Sequence, residues 1–136
     1  MLDIILIQHI ESATNLLEYR QKNTKLDKKH SDIFGGFLSA IQSLSNEINI
    51  GEISLISTTG ENGHHCIIIR KDPINVILLV DQNDPIKMWR DLGEDIASKF
   101  LQDYGTPLNH LEITQFDSFK GYLQDICEIT QYCEKN

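Results

Sequence analysis

The sequence lacks the features that mark membrane, secreted and nucleic-acid-binding proteins. Its longest apolar run, residues 76–80, is far shorter than the roughly 20 residues that cross a bilayer. Residues 1–3 do not form the basic start of a secretory signal. The net charge of −8 argues against nucleic acid as a partner. These absences predict a cytoplasmic protein whose contact with a membrane is at most peripheral.

Cysteine and recognisable catalytic motifs are scarce as well. The three cysteines, Cys66, Cys127 and Cys133, are odd in number and irregularly spaced, which predicts buried free thiols rather than a disulfide framework. His64 and Cys66 could share one face of a strand, but two ligands fall short of a structural zinc site. No phosphate-binding glycine loop or nucleophile elbow is present. The sequence therefore predicts a protein that is not an enzyme, with no catalytic, cofactor or metal site.

The first half of the chain alternates between strand and helix patterns. Residues 3–9 and 16–20 are apolar strand candidates, which we interpret as an opening hairpin. Ser31 or Asp32 can cap the helix that follows. This helix carries an apolar stripe that is predicted to face the core, formed by Phe34, Phe37, Leu38, Ile41, Leu44 and Ile48.

Gly35 and Gly36 interrupt this helix near its start, where each glycine costs about 1 kcal/mol of helix stability. Two explanations remain open. Another segment approaches the backbone closely at the glycines, or the helix begins after them.

Three strands and two helices are predicted in the second half. The strands cover residues 52–58, 64–70 and 75–81. Asp84 as N-cap, with Pro85 after it, predicts the second helix. Its inner face contains Trp89, interpreted as a core anchor, with a partly exposed contact residue as the alternative. Gly105 ends this helix, and Thr114 or Asp117 caps the third.

The resulting order of elements, ββαβββαα, predicts an α+β fold. The first, fourth and fifth strands are apolar on both faces, so both faces must be covered. The second and third strands are mixed, as edge strands are. We expect a five-stranded, mostly antiparallel sheet between one helix on one face and two on the other. Residues 1–136 would form a single domain.

With these elements placed, the chain resembles the longin domain, or SNARE-like fold. Residues 4–8 and 16–19 resemble the start of adaptor-complex small subunits. Residues 67–70 and 77–81 look like the central hairpin of those subunits. Residues 34–41 are similar to the first helix of free-standing longin-like proteins of archaea. The resemblance covers nearly the whole chain.

The resemblance implies a non-catalytic interaction module in a trafficking-like system. Longin and the related roadblock domains bind small GTPases, each other or trafficking-complex subunits, so a homodimer is also expected. The opening hairpin favours longin over roadblock, in which a helix comes first. Two alternatives stay open, a roadblock-like homodimeric scaffold and a small-molecule sensor with a pocket between sheet and helices.

Two segments are the candidate contact sites. The third strand contains no proline or lysine, so it is weakly protected against pairing with another chain. With the first helix, it supplies the predicted interaction residues Ile53, Ser54, Leu55, Ile56, Ser57, Thr58, Phe34 and Phe37. The second segment is a basic loop that either is only solvated or contacts an acidic partner or anionic lipid headgroups. Its basic residues are Arg20, Lys22, Lys25, Lys28 and Lys29.

Overall fold

The computed structural model describes residues 1–22, 24, 28–105 and 111–133, and within the first helix it describes side chains from Ile33 onward. Its five strands are β1 (Leu2–His9), β2 (Asn15–Arg20), β3 (Leu55–Ser57), β4 (His64–Lys71) and β5 (Ile74–Asp81). Its helices are α1 (Lys28–Glu47), α2 (Ile86–Tyr104), a 3₁₀ helix (Ile113–Phe119) and α3 (Lys120–Ile129).

The strands form one antiparallel sheet in the order β2-β1-β5-β4-β3. The predicted α+β class, element order and sheet are confirmed. β2 and β3 lie at the two edges, as their mixed patterns predicted. The three central strands are buried along most of their length, because helices cover both faces of the sheet.

Strand alternation divides the core into two layers. One layer lies between the sheet and α1 and consists of Ile4, Leu6, Cys66, Ile68 and Ile77 of the strands and Leu38 of α1. The opposite set packs against α2, the 3₁₀ helix and α3, and it includes Ile5, Ile7, Ile67, Val76 and Leu78. Trp89 and Phe100 of α2 are fully buried in this second layer, which confirms Trp89 as a core anchor.

The prediction that Asp84 caps α2 is wrong. Pro85 occupies the N-cap position, and no side chain caps the helix. Asp84 is instead buried, and its Oδ2 accepts a hydrogen bond from the Trp89 indole Nε1 at 3.0 Å. Its Oδ1 lies 2.9 Å from the Met1 amino group. The other end of α2 follows the prediction, since Gly105 ends the helix at a φ of 73°.

Two other helix starts differ from the predictions. α1 begins at Lys28, so Ser31 and Asp32 lie within the helix and do not cap it. The third predicted helix is a 3₁₀ helix followed by α3, and Thr114 and Asp117 lie inside the 3₁₀ segment. In both places a polar residue that favours caps lies inside a helical segment.

The close approach of two side chains to the backbone of α1 explains why a glycine stands at position 35. A Cβ atom at this position would lie 2.9 Å from Asn15 Oδ1 and 3.2 Å from Gln8 Nε2. The Gln8 amide also donates to the Gly35 carbonyl oxygen at 3.1 Å. Gly36 has no such neighbour among the described residues. The first of the two explanations for the glycine pair therefore holds at Gly35, and α1 does not begin after the glycines.

The prediction of three free thiols is wrong for two of the cysteines. Cys127 and Cys133 form a disulfide with a Cα–Cα distance of 5.2 Å. Cys127 lies in the last turns of α3, and the chain after Ile129 turns back over the core, which buries Cys133. Spacing alone could not reveal this bridge, because it depends on where α3 ends. Cys66 remains a buried free thiol, as predicted.

Replacing both bridged cysteines with alanine is expected to lower the free energy of unfolding by about 2 kcal/mol, because the bridge closes only a short loop. Urea denaturation under oxidising and reducing conditions measures this loss. Reductant should destabilise the wild-type protein and leave the double variant unchanged. Equal sensitivity of the two proteins to reductant would contradict the assignment of the bridge.

Burial of Cys66 predicts a pH dependence of stability. Desolvation raises the pKa of its thiol from 9.0 to about 12. Between those values the thiol ionises in the unfolded chain and stays neutral in the folded one. The free energy of unfolding should therefore fall by about 1.4 kcal/mol per pH unit in that interval, beyond any loss from other groups. Cys66→Val should lose this component in urea titrations, whereas parallel profiles for variant and wild type would refute it.

Candidate functional site

The open edge of β3 is narrower than the sequence suggested. Paired strand structure covers Leu55–Ser57 rather than residues 52–58. The Ile68 N–H donates to the Ser54 carbonyl, and the Thr58 N–H donates to the His64 carbonyl. Because an antiparallel ladder alternates, the backbone groups of Leu55 and Ser57 point away from β4. No hydrogen bond to these four groups is present among the described residues.

Gln42 of α1 closes the adjacent part of this edge. Its side-chain Oε1 accepts from the Ile53 N–H at 3.0 Å, and its Nε2 donates to the Ile53 carbonyl at 2.8 Å. The amide thus occupies the two groups that a further strand would need at Ile53. Ser45 Oγ donates to the Gly51 carbonyl and fixes the chain one turn along α1. The edge is therefore open at Leu55 and Ser57 and capped just before them.

α1 carries an exposed apolar stripe. Three of its apolar side chains, Ile33, Phe37 and Leu44, are each more than half exposed, and so is Ile48, the residue directly after its end. At about 100° per residue they fall within an arc of about 60°. Ile50, just beyond the helix, is also exposed. We refer to Ile33, Phe37, Leu44 and Ile48 as the α1 stripe.

The prediction that the apolar side of α1 faces the core is correct only in part. Leu38 is buried, and Phe34 and Ile41 are half-buried. Phe37, Leu44 and Ile48 face solvent, because the helix packs through Gly35, Leu38 and Ser45 instead. The apolar residues of α1 cover a wider arc of the helix than the sheet buries. The width of this arc is the feature of the sequence that could have indicated an exposed apolar side.

The predicted interaction residues therefore fall into two groups. Phe37, Leu55 and Ser57 lie on the α1 stripe or at the open edge, where they are exposed. Phe34, Ile53 and Ile56 are half-buried, and Ser54 and Thr58 are exposed but use backbone groups to pair with β4. The sequence did not reveal the role of Gln42 or the exposure of Leu44 and Ile48.

The basic segment is described only in part. Arg20 lies 2.7 Å from Glu18, so its charge is paired within β2. Lys22 is exposed, Lys25 lies outside the described residues, and the side chains of Lys28 and Lys29 at the start of α1 are likewise not described. The segment is not one loop, since its last two lysines belong to a helix.

The histidines near β3 make local contacts. His65 Nε2 lies 3.1 Å from the Gln82 carbonyl, so this nitrogen carries a proton. His65 Nδ1 lies 2.7 Å from Ser57 Oγ. His64 Nε2 is 3.3 Å from Asp3 Oδ2. Within the described part of the chain, no three potential metal ligands lie close enough to share an ion.

None of the helices in the described part of the chain is both long enough and apolar enough to cross a bilayer.

Comparison with known proteins identifies the fold. No protein family matches the sequence, and no curated protein matches it. Among solved structures, 36 chains match. One is MglB of Myxococcus xanthus, with a TM-score of 0.55 and 10% identity, covering 75% of this chain and 78% of MglB. At this identity the likeness concerns the fold alone, and that fold is longin/roadblock-like.

Proposed function

We propose that this protein is a non-catalytic longin-type interaction module that pairs with a second longin- or roadblock-type subunit, or with itself, and binds or regulates a small GTPase. The observation that carries the proposal is the α1 stripe beside the open edge of β3. The longin resemblance of the sequence and the fold shared with MglB support the class of partner.

The α1 stripe supplies the apolar part of the docking surface. Four large apolar side chains, three on one side of α1 and one directly after its end, form a patch of the kind that marks a protein contact in soluble proteins. Phe37 is the aromatic member, and aromatic residues are enriched among those that dominate binding energy. A helix of a partner can lie along this side and exclude water from it.

The edge of β3 supplies the backbone hydrogen-bonding groups of the docking surface. Leu55 and Ser57 offer two N–H donors and two carbonyl acceptors. A partner strand that pairs with these groups extends the sheet. Because the Gln42 amide already bonds the N–H and carbonyl of Ile53, the partner strand must begin its pairing at Leu55. This restriction sets the register of the added strand.

The experiment is light scattering coupled to size exclusion, on the protein alone and mixed with small GTPases loaded with GDP or a GTP analogue. A dimer alone, together with a nucleotide-dependent complex, is the expected result. A dimer that binds none of the GTPases would support the proposed pairing and refute the proposed binding of a small GTPase. A monomer that binds no GTPase would overturn the proposal.

A further inference from the structure

Three polar side chains form a row across the sheet beneath α1. Gln8 of β1 pairs with Asn75 of β5, and Asn75 pairs with Arg70 of β4. Strand alternation places all three on the face that carries Ile4, Ile68 and Ile77, which is the face covered by α1. The apolar layer between α1 and the sheet thus becomes polar at one end.

A cavity of about 190 Å³ lies at this end. α1 contributes Ser39, Ser43 and Asn46, which are spaced by four and three residues and so share one side of the helix. The turn after β1 contributes Glu11. Asn75 and Arg70 also line the cavity from the sheet. Its wall is therefore rich in hydroxyl, amide and carboxylate groups.

Asn75 is the unusual member of the row. Its side chain is only 8% exposed, and its Oδ1 is enclosed without a hydrogen-bond partner among the described residues. The neighbours in the row are paired, since Gln8 donates to Gly35 and Arg70 contacts Glu52 and Asp72. A buried amide without a partner costs free energy. Because the two ends of an amide have nearly the same shape, a half-turn about χ2 exchanges its oxygen and nitrogen, so either atom can serve a ligand at this position.

The charge around the cavity is negative. The Arg70 guanidinium lies 3.0 Å from Glu52 Oε1 and 3.1 Å from Asp72 Oδ1, so two carboxylates neutralise this cation. Glu11 is exposed and adds a third carboxylate at the rim. No other cationic side chain lines the cavity among the described residues. An anion would meet net repulsion here, whereas a cation would be attracted.

We infer that this cavity binds a guanidinium or primary ammonium group. Such a group carries only donors, and the cavity offers acceptors: the Asn75 amide oxygen, the Ser39 and Ser43 hydroxyls and the Glu11 carboxylate. The volume lies below the about 300 Å³ of a typical drug-sized pocket, which suits one small charged group with a short alkyl tail. The site is separate from the α1 stripe and does not depend on the proposed function.

The bound guanidinium or ammonium group can belong either to a free small molecule or to an arginine or lysine side chain of a docked protein. A short peptide with one internal arginine, compared with free arginine, distinguishes them. Binding of both means that the cavity accepts a side chain from a macromolecule. Binding of free arginine alone assigns the cavity to small molecules. Either result supports the cation site.

The test is an NMR titration of the ¹⁵N-labelled full chain with methylguanidinium, with methylurea as the neutral molecule of nearly the same shape. We expect saturable shifts at the Asn75 side-chain amide and at the backbone amides of Ser39, Ser43 and Asn46. Methylguanidinium should bind about tenfold more tightly than methylurea, because hydrogen bonds from charged donors are the stronger ones.

Two surface variants test the role of charge. Glu11→Gln should weaken methylguanidinium binding about fivefold, because it removes the free carboxylate at the rim. Glu47→Gln removes an equally exposed carboxylate from α1 that does not line the cavity, and it should leave binding unchanged. Asn75→Ala should abolish the shifts, and the spectrum of the free variant reports whether it still folds.

Three results would overturn the inference. One is the absence of saturable shifts at these residues. Another is equal binding of methylurea and methylguanidinium, which would mean that the cavity does not select for charge. The third is an equal loss of binding in Glu11→Gln and Glu47→Gln, which would mean that only the overall charge of the protein matters.

Discussion

Replacing Trp89 with alanine is expected to lower the free energy of unfolding by about 4 kcal/mol. The indole is fully buried between α2 and the sheet, so its removal leaves a large cavity. The substitution also removes the indole N–H that donates to Asp84. The Oδ2 atom of the buried Asp84 carboxylate then loses this hydrogen bond, while Oδ1 keeps its contact with the Met1 amino group. Urea denaturation followed by circular dichroism measures the loss.

Trp89→Phe separates the two contributions. Phenylalanine retains much of the apolar bulk and lacks the N–H group, so we expect a loss of about 1–3 kcal/mol, dominated by the missing hydrogen bond to the buried Asp84 Oδ2. A loss below about 1 kcal/mol in Trp89→Ala would contradict the assignment of Trp89 as the anchor of the second layer. Equal losses in the two variants would mean that the hydrogen bond, rather than the packing, carries the effect.

The second large effect is expected on binding. Replacing both Phe37 and Leu44 with glutamate should weaken the partner complex, or the homodimer, by about 100-fold or more, because central apolar contacts dominate interface energies. Both side chains are exposed, so the monomer should keep its stability within about 0.5 kcal/mol. Light scattering over a concentration series measures the association, and urea denaturation measures the stability.

Asn46→Glu is the matched control for this pair of substitutions. Asn46 is exposed on α1 and lies about 170° around the helix from the centre of the α1 stripe. It therefore adds one negative charge, half of that added by the double substitution, to the same helix and outside the α1 stripe. An equal loss of binding in this variant would assign the effect to net charge. Unchanged binding in the Phe37 and Leu44 variant would exclude the α1 stripe from the interface.

The sheet could be predicted from the sequence because its signals are local and strong. β4 and β5 are apolar on consecutive positions, which is typical of strands covered on both faces. β2 and β3 have mixed patterns, which placed them at the edges. The glycine pair left open a close approach or a later helix start, and the Asn15 and Gln8 side chains make the close approach at Gly35.

The features that could not be predicted depend on contacts between distant segments. Gln42 caps Ile53 only because α1 crosses beside the chain that leads into β3. The Cys127–Cys133 bridge depends on where α3 ends. The Asn75 cavity requires three strands in one register, with a helix above them.

The docking surface itself remains a prediction, and the structure changes only which residues are open to a partner. The third strand was expected to be an open edge along residues 52–58, and the structure leaves it open at Leu55 and Ser57. Periodicity assigned Leu44 and Ile48 to the core. A hydrophobic arc does not by itself show how much of it a neighbouring sheet will cover.

Hydrogen–deuterium exchange at β3, in the free protein and in the associated state found by light scattering, decides whether the open edge takes part in the interface. We expect the Leu55 and Ser57 amides, which face the open edge, to become protected on association together with amides of α1. The Thr58 amide already donates to His64 and should change little. Unchanged exchange at Leu55 and Ser57, with new protection along β2 at the opposite edge, would place the interface elsewhere and refute the proposed docking surface.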